Sequence, residues 1–251
     1  MVLRMAQLSN KDIKSIKALA SKKFRDETGL FVVEGEKMVQ EALDSRFEVT
    51  AVYRRDEIGE EAMSRISQLS SPSPVLAVVR KPADIDDGSF TVGPGLYLAL
   101  DSIRDPGNLG TILRIADWFG IRSVMASRDT VEAFNPKVVQ ATMGSLARVR
   151  VHYTNLPDRL AALRAQQPTI PIYGTLLDGK NLYAADAIPD RHSGIIVMGN
   201  EGNGLSQAVR RMITHSLRIP SFPPDNPTAE SLNVAIATAI ILAEFRRIRG
   251  V

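Results

Sequence analysis

A chain of 251 residues with 44% hydrophobic and 24% charged side chains has globular composition and enough length for a core without staples, which excludes a disordered tail, a collagen-like fibre and a coiled-coil rod. The cysteine count of 0 excludes disulfides, thiolate zinc sites and cysteine nucleophiles, and fits a reducing compartment. Lys and Arg total 31 against 28 Asp and Glu, so the net charge of +3 is weak evidence for a nucleic-acid partner and the distribution of charge says more.

The opening stretch, MVLRMAQLSNKDIK, has no apolar segment of the kind a secretory signal needs. The longest apolar run, 234–243 and interrupted by Thr238, is far short of the roughly 20 residues a spanning helix requires. The expectation is a soluble, cytoplasmic protein with no membrane partner. Residues 1–25 hold seven basic side chains (Arg4, Lys11, Lys14, Lys17, Lys22, Lys23 and Arg25) against one acid, Asp12. Such a local excess is either a solvated helix face or an electrostatic footprint for phosphate.

Ile13, Ile16, Leu19 and Ala20 recur at helical spacing and predict a helix over 11–23. A strand over 31–33, a helix over 36–43 and a strand over 49–53 follow. Residues 57–69 carry Ile58, Ala62, Ile66 and Leu69 on one helical side, and 75–79 is a short buried strand. Together they make a small α/β unit. The stretch 81–95, KPADIDDGSFTVGPG, has no periodicity. The expected division is therefore an N-terminal domain over 1–81, a linker over 82–95 and a second domain over 96–251.

The second half alternates. Strands are expected at 96–100, 123–126, 148–153, 172–175, 195–198 and 217–219, and helices at 108–119, 136–142, 156–166, 206–212 and 232–247. Alternation of this kind implies a mostly parallel sheet covered by helices on both faces, with ligands beyond the carboxyl ends of its strands.

Three segments each follow a strand. In LALDSIRDPGNLGTILRIADWFG, residues 98–120, Asp105 to Asn108 form a turn with N-cap chemistry and the helix then buries Leu109, Ile112, Ala116 and Phe119. Arg114 lies roughly 140° round from Leu109, so it is either a surface cation or one that reaches a site above the sheet. In IIVMGNEGNGLS, residues 195–206, glycines at 199, 202 and 204 give neither the dinucleotide fingerprint nor the Lys-Ser/Thr of a phosphate loop. The turn is a connector or a place where backbone approaches a ligand, and Glu201 beside it favours a cationic or neutral one. In IPSFPPDNPTAESLNVAIATAIILAEFRR, residues 219–247, Ser231 or Asn233 is the natural N-cap of a long apolar helix. His152, His192 and His215 show no metal spacing, and no metal is expected. Trp118 and Phe119 read as core anchors. No G-x-S-x-G or Ser/His/Asp order is present.

Taken in order, D-x-x-x-D-P-G-N-L-G-x-x-x-R at 101–114, I-V-M-G-N-E-G-x-G-L at 196–205, I-P at 219–220 and S-L-N-V at 231–234 resemble the SpoU/TrmH family of SPOUT RNA methyltransferases. Phe31-Val32-Val33-Glu34-Gly35 is similar to that family's substrate-binding domain, which itself resembles kink-turn-binding ribosomal proteins. The resemblance implies an α/β, trefoil-knotted C-terminal domain working as a homodimer, beside a smaller α/β substrate-binding domain. It implies methyl transfer from S-adenosylmethionine to a ribose 2′-hydroxyl, with 23S rRNA favoured over tRNA. The different-class alternative is a catalytically silent RNA-binding protein of the same fold.

Carried over position by position, the catalytic set is Asn108, Arg114, Glu201, Ser231 and Asn233, and the cofactor contacts are Thr175, Met198, Gly199, Asn200, Ile219, Pro220 and Leu232. Ser145 lies near the family's Ser-Gly-Ala stretch, from which Met143-Gly144-Ser145-Leu146 departs. The loop 221–230, with Pro223, Pro224 and Pro227, is longer than the commonest family form. The physics agrees, because the methyl donor is a sulfonium without phosphate and in-line transfer to oxygen needs positioning and a proton acceptor rather than a metal. The resemblance makes Arg114 the general base, yet a guanidinium has a pKa above about 12. A second role stays open, in which Arg114 orients a phosphate and stabilises the developing alkoxide. Lys11, Lys14, Lys17, Lys22, Lys23 and Arg25 then read as RNA contacts.

Overall fold

In the computed structural model, which describes residues 8–82, 90, 93–223 and 229–247, the chain forms two units: Met1–Ala83 with Glu132–Arg148, and Asp84–Val131 with Val149–Val251. Arg4, most of the expected linker and the centre of the proline-rich loop lie outside the described residues.

The first unit opens with α1 (Asn10–Ala18), started by a capping box in which Ser9 accepts from the Asp12 N–H and Asp12 accepts from that of Ser9. The expected single helix over 11–23 is two. The chain turns over 19–21, and α2 (Lys22–Thr28) begins after Ser21. β1 (Leu30–Glu34), α3 (Glu36–Leu43) and β2 (Glu48–Arg54) follow. The expected helix over 57–69 is likewise split, into α4 (Arg55–Ile58) and α5 (Glu60–Ile66), because Gly59 takes φ +85°. β3 (Val75–Arg80) is the middle strand of an antiparallel sheet in the order β1-β3-β2. Ile13, Ile16, Met63, Ile66, Leu76 and Val78 form the core on one face. In this unit too lie α7 (Pro136–Thr142) and a 3-10 turn over Ser145–Ala147 in which Ser145 is buried. The Phe134 ring packs on Phe31 with centroids 4.7 Å apart.

Arg25 does not belong to an open phosphate-binding face. Its side chain is 2% exposed. Its Nη1 donates to the Leu19 and Ala20 carbonyls at 2.8 and 2.9 Å, and its Nη2 reaches Glu132 Oε2 at 2.6 Å. The break at 19–21 resets the helical phase so that position 25 faces inward, where carbonyls left over at the end of α1 need donors. A buried guanidinium so held is expensive to uncouple from its carboxylate, which makes Arg25 a structural cation.

The second unit carries β4 (Leu96–Leu100), β5 (Ser123–Ser127), β6 (Arg150–Thr154), β7 (Ile172–Asn181), β8 (Gly194–Met198) and β9 (His215–Arg218). They form one sheet in the order β6-β5-β4-β8-β7-β9, every pair parallel. β8 is buried along its whole length, as a sheet covered on both faces requires. Its helices are α6 (Pro106–Trp118), α8 (Leu156–Gln166), α9 (Gln207–Arg210) and α10 (Val234–Arg246), and α6 packs against α10.

Trp118 corrects the expectation of a core anchor, being 86% exposed. The stripe of α6 that is buried is Leu109, Ile112, Leu113 and Ala116. Trp118 lies nine residues beyond Leu109, about half a turn round, on the opposite side of the helix. Phe119 is half-buried.

Candidate functional site

Chain order runs outward from β4 through β5 to β6, then returns on the other side of β4 through β7 and β8. The β4 and β8 strands are neighbours although far apart in sequence. The loops that leave their carboxyl ends therefore diverge from a switch point, the usual place for a ligand in an open parallel sheet.

A cavity of about 790 Å³ opens there. Its walls are the middle of β7 (Thr175 to Asp178), the glycine turn after β8, the segment after β9 (Ile219, Pro220, Ser221) and the start of α10. Every position expected to contact cofactor lines it: Thr175, Met198, Gly199, Asn200, Ile219, Pro220 and Leu232. Glu201 and Ser231 line it as well. In β7, both Thr175 and Lys180 pair with Leu217, so residues 176–179 arch out of the strand toward the cavity rim.

The glycine turn is braced through Asn200. Its Oδ1 accepts from the Gly202 and Asn203 N–H groups at 3.0 Å each. Its backbone N–H and carbonyl bond with Gly204 at 2.9 and 3.0 Å. Its Nδ2 donates to the Ser102 carbonyl at 2.7 Å. A Cβ on Gly199 would stand 2.4 Å from the Gly204 carbonyl carbon, so only glycine fits the first position of the turn.

Asn108 and Asn233 are not part of the lining and join it through Glu201. Asn108 Nδ2 donates to Glu201 Oε1 at 3.0 Å, and Asn233 Nδ2 donates to Asn108 Oδ1 at 2.9 Å. Asn233 is the N-cap of α10, its Oδ1 accepting from Ala235 and Ile236. Glu201 also accepts the Arg104 and Asp105 N–H groups, at 3.5 and 3.3 Å. Its carboxylate thus sits at the N-terminus of α6, where the helix dipole favours a negative charge. A chain of side chains ties α6, the glycine turn and α10 together.

Arg114 is exposed on α6, outside the cavity lining, with no hydrogen bond or ion pair to the described residues. In the first unit, Lys11, Lys14 and Lys17 stand on the open side of α1. Lys22 and Lys23 pair along α2 with Asp26 and Glu27, at 2.5 and 3.8 Å. The bond from Lys22, with a second from Lys81, holds the Asp26 carboxyl below the usual carboxylate range. No group of three metal-ligating side chains stands together among the described residues.

Two acids escape sequence reasoning. Asp101 is buried and accepts the Ser206 N–H at 2.7 Å, fixing the start of α9. Its one signal is its place at the head of the 101–114 motif. Asp129 accepts the Ser102 hydroxyl at 2.5 Å. That bond, with a second from Ser127 and the nearby Arg104 charge, lowers its pKa. Nothing in local sequence marks it.

Residues 95–243 match the SpoU rRNA Methylase family, and residues 10–81 match the MRM3-like substrate binding domain. A Bacillus subtilis protein named 23S rRNA (guanosine(2553)-2′-O)-methyltransferase RlmP is 32% identical over 252 residues, spanning 94% of this chain and 96% of its own. Among solved structures, a Porphyromonas gingivalis protein described as of the TrmH family of RNA methyltransferases superposes with a TM-score of 0.83 at 41% identity, over 96% of this chain and 99% of that one. An AdoMet-bound rRNA methyltransferase from Sinorhizobium meliloti gives 0.82 at 30% identity, over 98% and 96%.

Proposed function

Because the chain belongs to the SpoU rRNA methylase family, we propose that it transfers the methyl group of S-adenosylmethionine to a ribose 2′-hydroxyl of 23S rRNA. The observation that carries this reading is the cavity, in which all seven expected donor contacts converge from four separate segments. Its chemistry suits that donor. Met198, Ile219 and Leu232 offer apolar walls for an adenine, and the glycine turn offers backbone at close range. Glu201, Glu230 and Asp178 supply negative charge against two lining cations, Arg218 and Arg210, the latter paired with Asp178 at 2.5 Å, so the acids outnumber the cations. Such a site favours a sulfonium over a phosphate.

When bound, S-adenosylmethionine supplies an electrophilic methyl on a positively charged sulfur. Thr175, Met198, Gly199, Asn200, Ile219, Pro220 and Leu232 hold it. The Asn233–Asn108–Glu201 chain keeps the head of α6 against the glycine turn, and Ser231 offers a hydroxyl at the lining. Arg114 faces the RNA, orienting a phosphate and stabilising charge on the 2′-oxygen as its proton passes to water.

The finer architecture belongs to the same reading. The domains are 1–81 for substrate RNA, a linker over 82–95 and 96–251 for catalysis, with Glu132–Arg148 of the last stretch belonging to the first unit. A trefoil knot in the catalytic domain is part of the same reading, as the resemblance of the motifs at 101–114, 196–205 and 231–234 implies. A homodimer is supported by Trp118 on α6 and Ile236 on α10, 86% and 52% exposed on two helices that pack together. Arg114 lies one helical turn before Trp118, so a second copy covering that face would also shield the guanidinium from bulk water. An rRNA substrate and a cysteine-free chain favour the cytoplasm.

Incubation with tritium-labelled S-adenosylmethionine and total RNA tests the reading. Label is expected in a 2′-O-methylated nucleotide of 23S rRNA. Label confined to tRNA, or RNA binding with no transfer, overturns it.

The lysines of α1 make a separate prediction. Replacing Lys11, Lys14 and Lys17 with glutamine should weaken RNA binding and flatten the plot of log affinity against log salt by about 2 units, at roughly 0.7–0.9 for each phosphate no longer neutralised. An unchanged slope removes these lysines from the interface.

A further inference from the structure

Ser102 follows β4 and stands in the left-handed region at φ +60°, a conformation that serine, unlike glycine, occupies only under constraint. Three bonds constrain it. Its N–H donates to Ser127 Oγ at 2.8 Å, its hydroxyl donates to Asp129 Oδ2 at 2.5 Å, and its carbonyl accepts from Asn200 Nδ2 at 2.7 Å. The turn after β5 that supplies the first two is itself braced. Ser127 Oγ meets Thr130 Oγ1 at 3.0 Å, and Thr130 Oγ1 accepts the Ile103 N–H at 3.2 Å. Asp129 does not line the cavity. It lies on the β5 side of β4, whereas the cavity opens on the β8 side.

We propose that Asp129 is a positioning residue for the donor cavity: by holding Ser102 left-handed it aims the Ser102 carbonyl at Asn200, whose amide shapes the glycine turn. The proposal rests on the reading of that cavity as the S-adenosylmethionine site. Its logic is geometric. If Ser102 loses the carboxylate and relaxes to negative φ, the peptide that follows rotates and its carbonyl leaves Asn200 Nδ2. The same amide, through Oδ1, receives the N–H groups of Gly202 and Asn203. Loosening one side of the amide loosens the turn on the other. The lowered pKa of Asp129 agrees with a carboxylate kept ionised to accept the Ser102 hydroxyl.

The test uses the full chain, calorimetric titration with S-adenosylmethionine and, in parallel, binding of 23S rRNA. Asp129→Ala is expected to raise the donor Kd about tenfold, equivalent to about 1.4 kcal/mol, and to leave RNA affinity unchanged. Asp129→Asn, which keeps an acceptor for the hydroxyl, should fall short of that loss. The deciding variant combines Asp129→Ala with Ser102→Gly. Glycine occupies positive φ without a carboxylate to hold it there, so donor affinity should return to within about twofold of the parent. A purely structural role for Asp129 predicts no such rescue. The proposal is overturned if Asp129→Ala binds the donor as the parent does, or if the double variant is as weak as the single one. Should Asp129→Ala not fold, the double variant decides alone: folded and binding supports the proposal, unfolded or non-binding overturns it. A parent protein that binds no donor sinks the cavity reading itself, a result separate from either outcome at Asp129.

Discussion

Replacing Arg114 with alanine should abolish methyl transfer and leave S-adenosylmethionine binding essentially intact. The two effects separate because Arg114 lies outside the cavity lining and bonds to none of the described residues. Its removal disturbs neither the glycine turn nor the Asn233–Asn108–Glu201 chain. What it removes is a planar, permanently charged group on an exposed helix face, suited to a phosphate and to charge building on an adjacent oxygen. A group acting on the proton or the developing charge is worth roughly 10²–10⁴-fold in rate. Single-turnover transfer to 23S rRNA measures that loss, and calorimetry with the donor measures what is kept. Arg114→Lys refines the result, since it keeps a charge but not the bidentate fork, and partial recovery assigns the role to charge. Equal loss of transfer and donor binding would mean that Arg114 shapes the cavity, against its position on α6.

Much of this arrangement is legible along the chain, and the exceptions have physical causes. The helix 36–43, the helix 136–142, the helix 156–166 and the strand 96–100 are bounded by glycine, proline and asparagine, and they stand where periodicity and capping put them. The helices expected over 11–23 and 57–69 are interrupted because the apolar stripe continues past Ser21 and Gly59 while the backbone stops there. Arg25 follows from that interruption, since the break at 19–21 resets which side of α2 is buried. Residue type alone misplaces Trp118, although its spacing from Leu109 puts it on the far side of α6.

The site shows the same division. Asn108, Glu201 and Asn233 are each visible in a motif. Their hydrogen bonds join positions 93 and 125 residues apart, and these depend on β4 lying beside β8, which no local pattern specifies. Asp129 is invisible in sequence because its partner is a serine whose unusual backbone angle exists only in the folded chain.

Gly199→Ala should eliminate donor binding, by at least about 100-fold, and with it all transfer. The steric case rests on backbone, which cannot step aside as a flexible side chain does. The added Cβ would stand 2.4 Å from the Gly204 carbonyl carbon, 2.6 Å from the Leu205 nitrogen and 2.7 Å from the Gly204 oxygen. Gly202, in the same turn, has nothing nearer than Asn200 Oδ1 at 3.7 Å, so the demand is particular to one position. Relief at 199 requires the paired hydrogen bonds between Asn200 and Gly204 to open. Asn200 then loses its grip on Gly202, Asn203 and Ser102, and Glu201 shifts away from Asn108. The cost to folding should be modest, about 1–3 kcal/mol as for other overpacked positions, because the turn lies beyond the carboxyl end of β8, where residues 201–204 are exposed. Thermal unfolding measures that cost, and donor titration measures the binding loss. A folded Gly199→Ala protein that bound S-adenosylmethionine as tightly as the parent would place the donor elsewhere, and the function assigned to this cavity would fall with it.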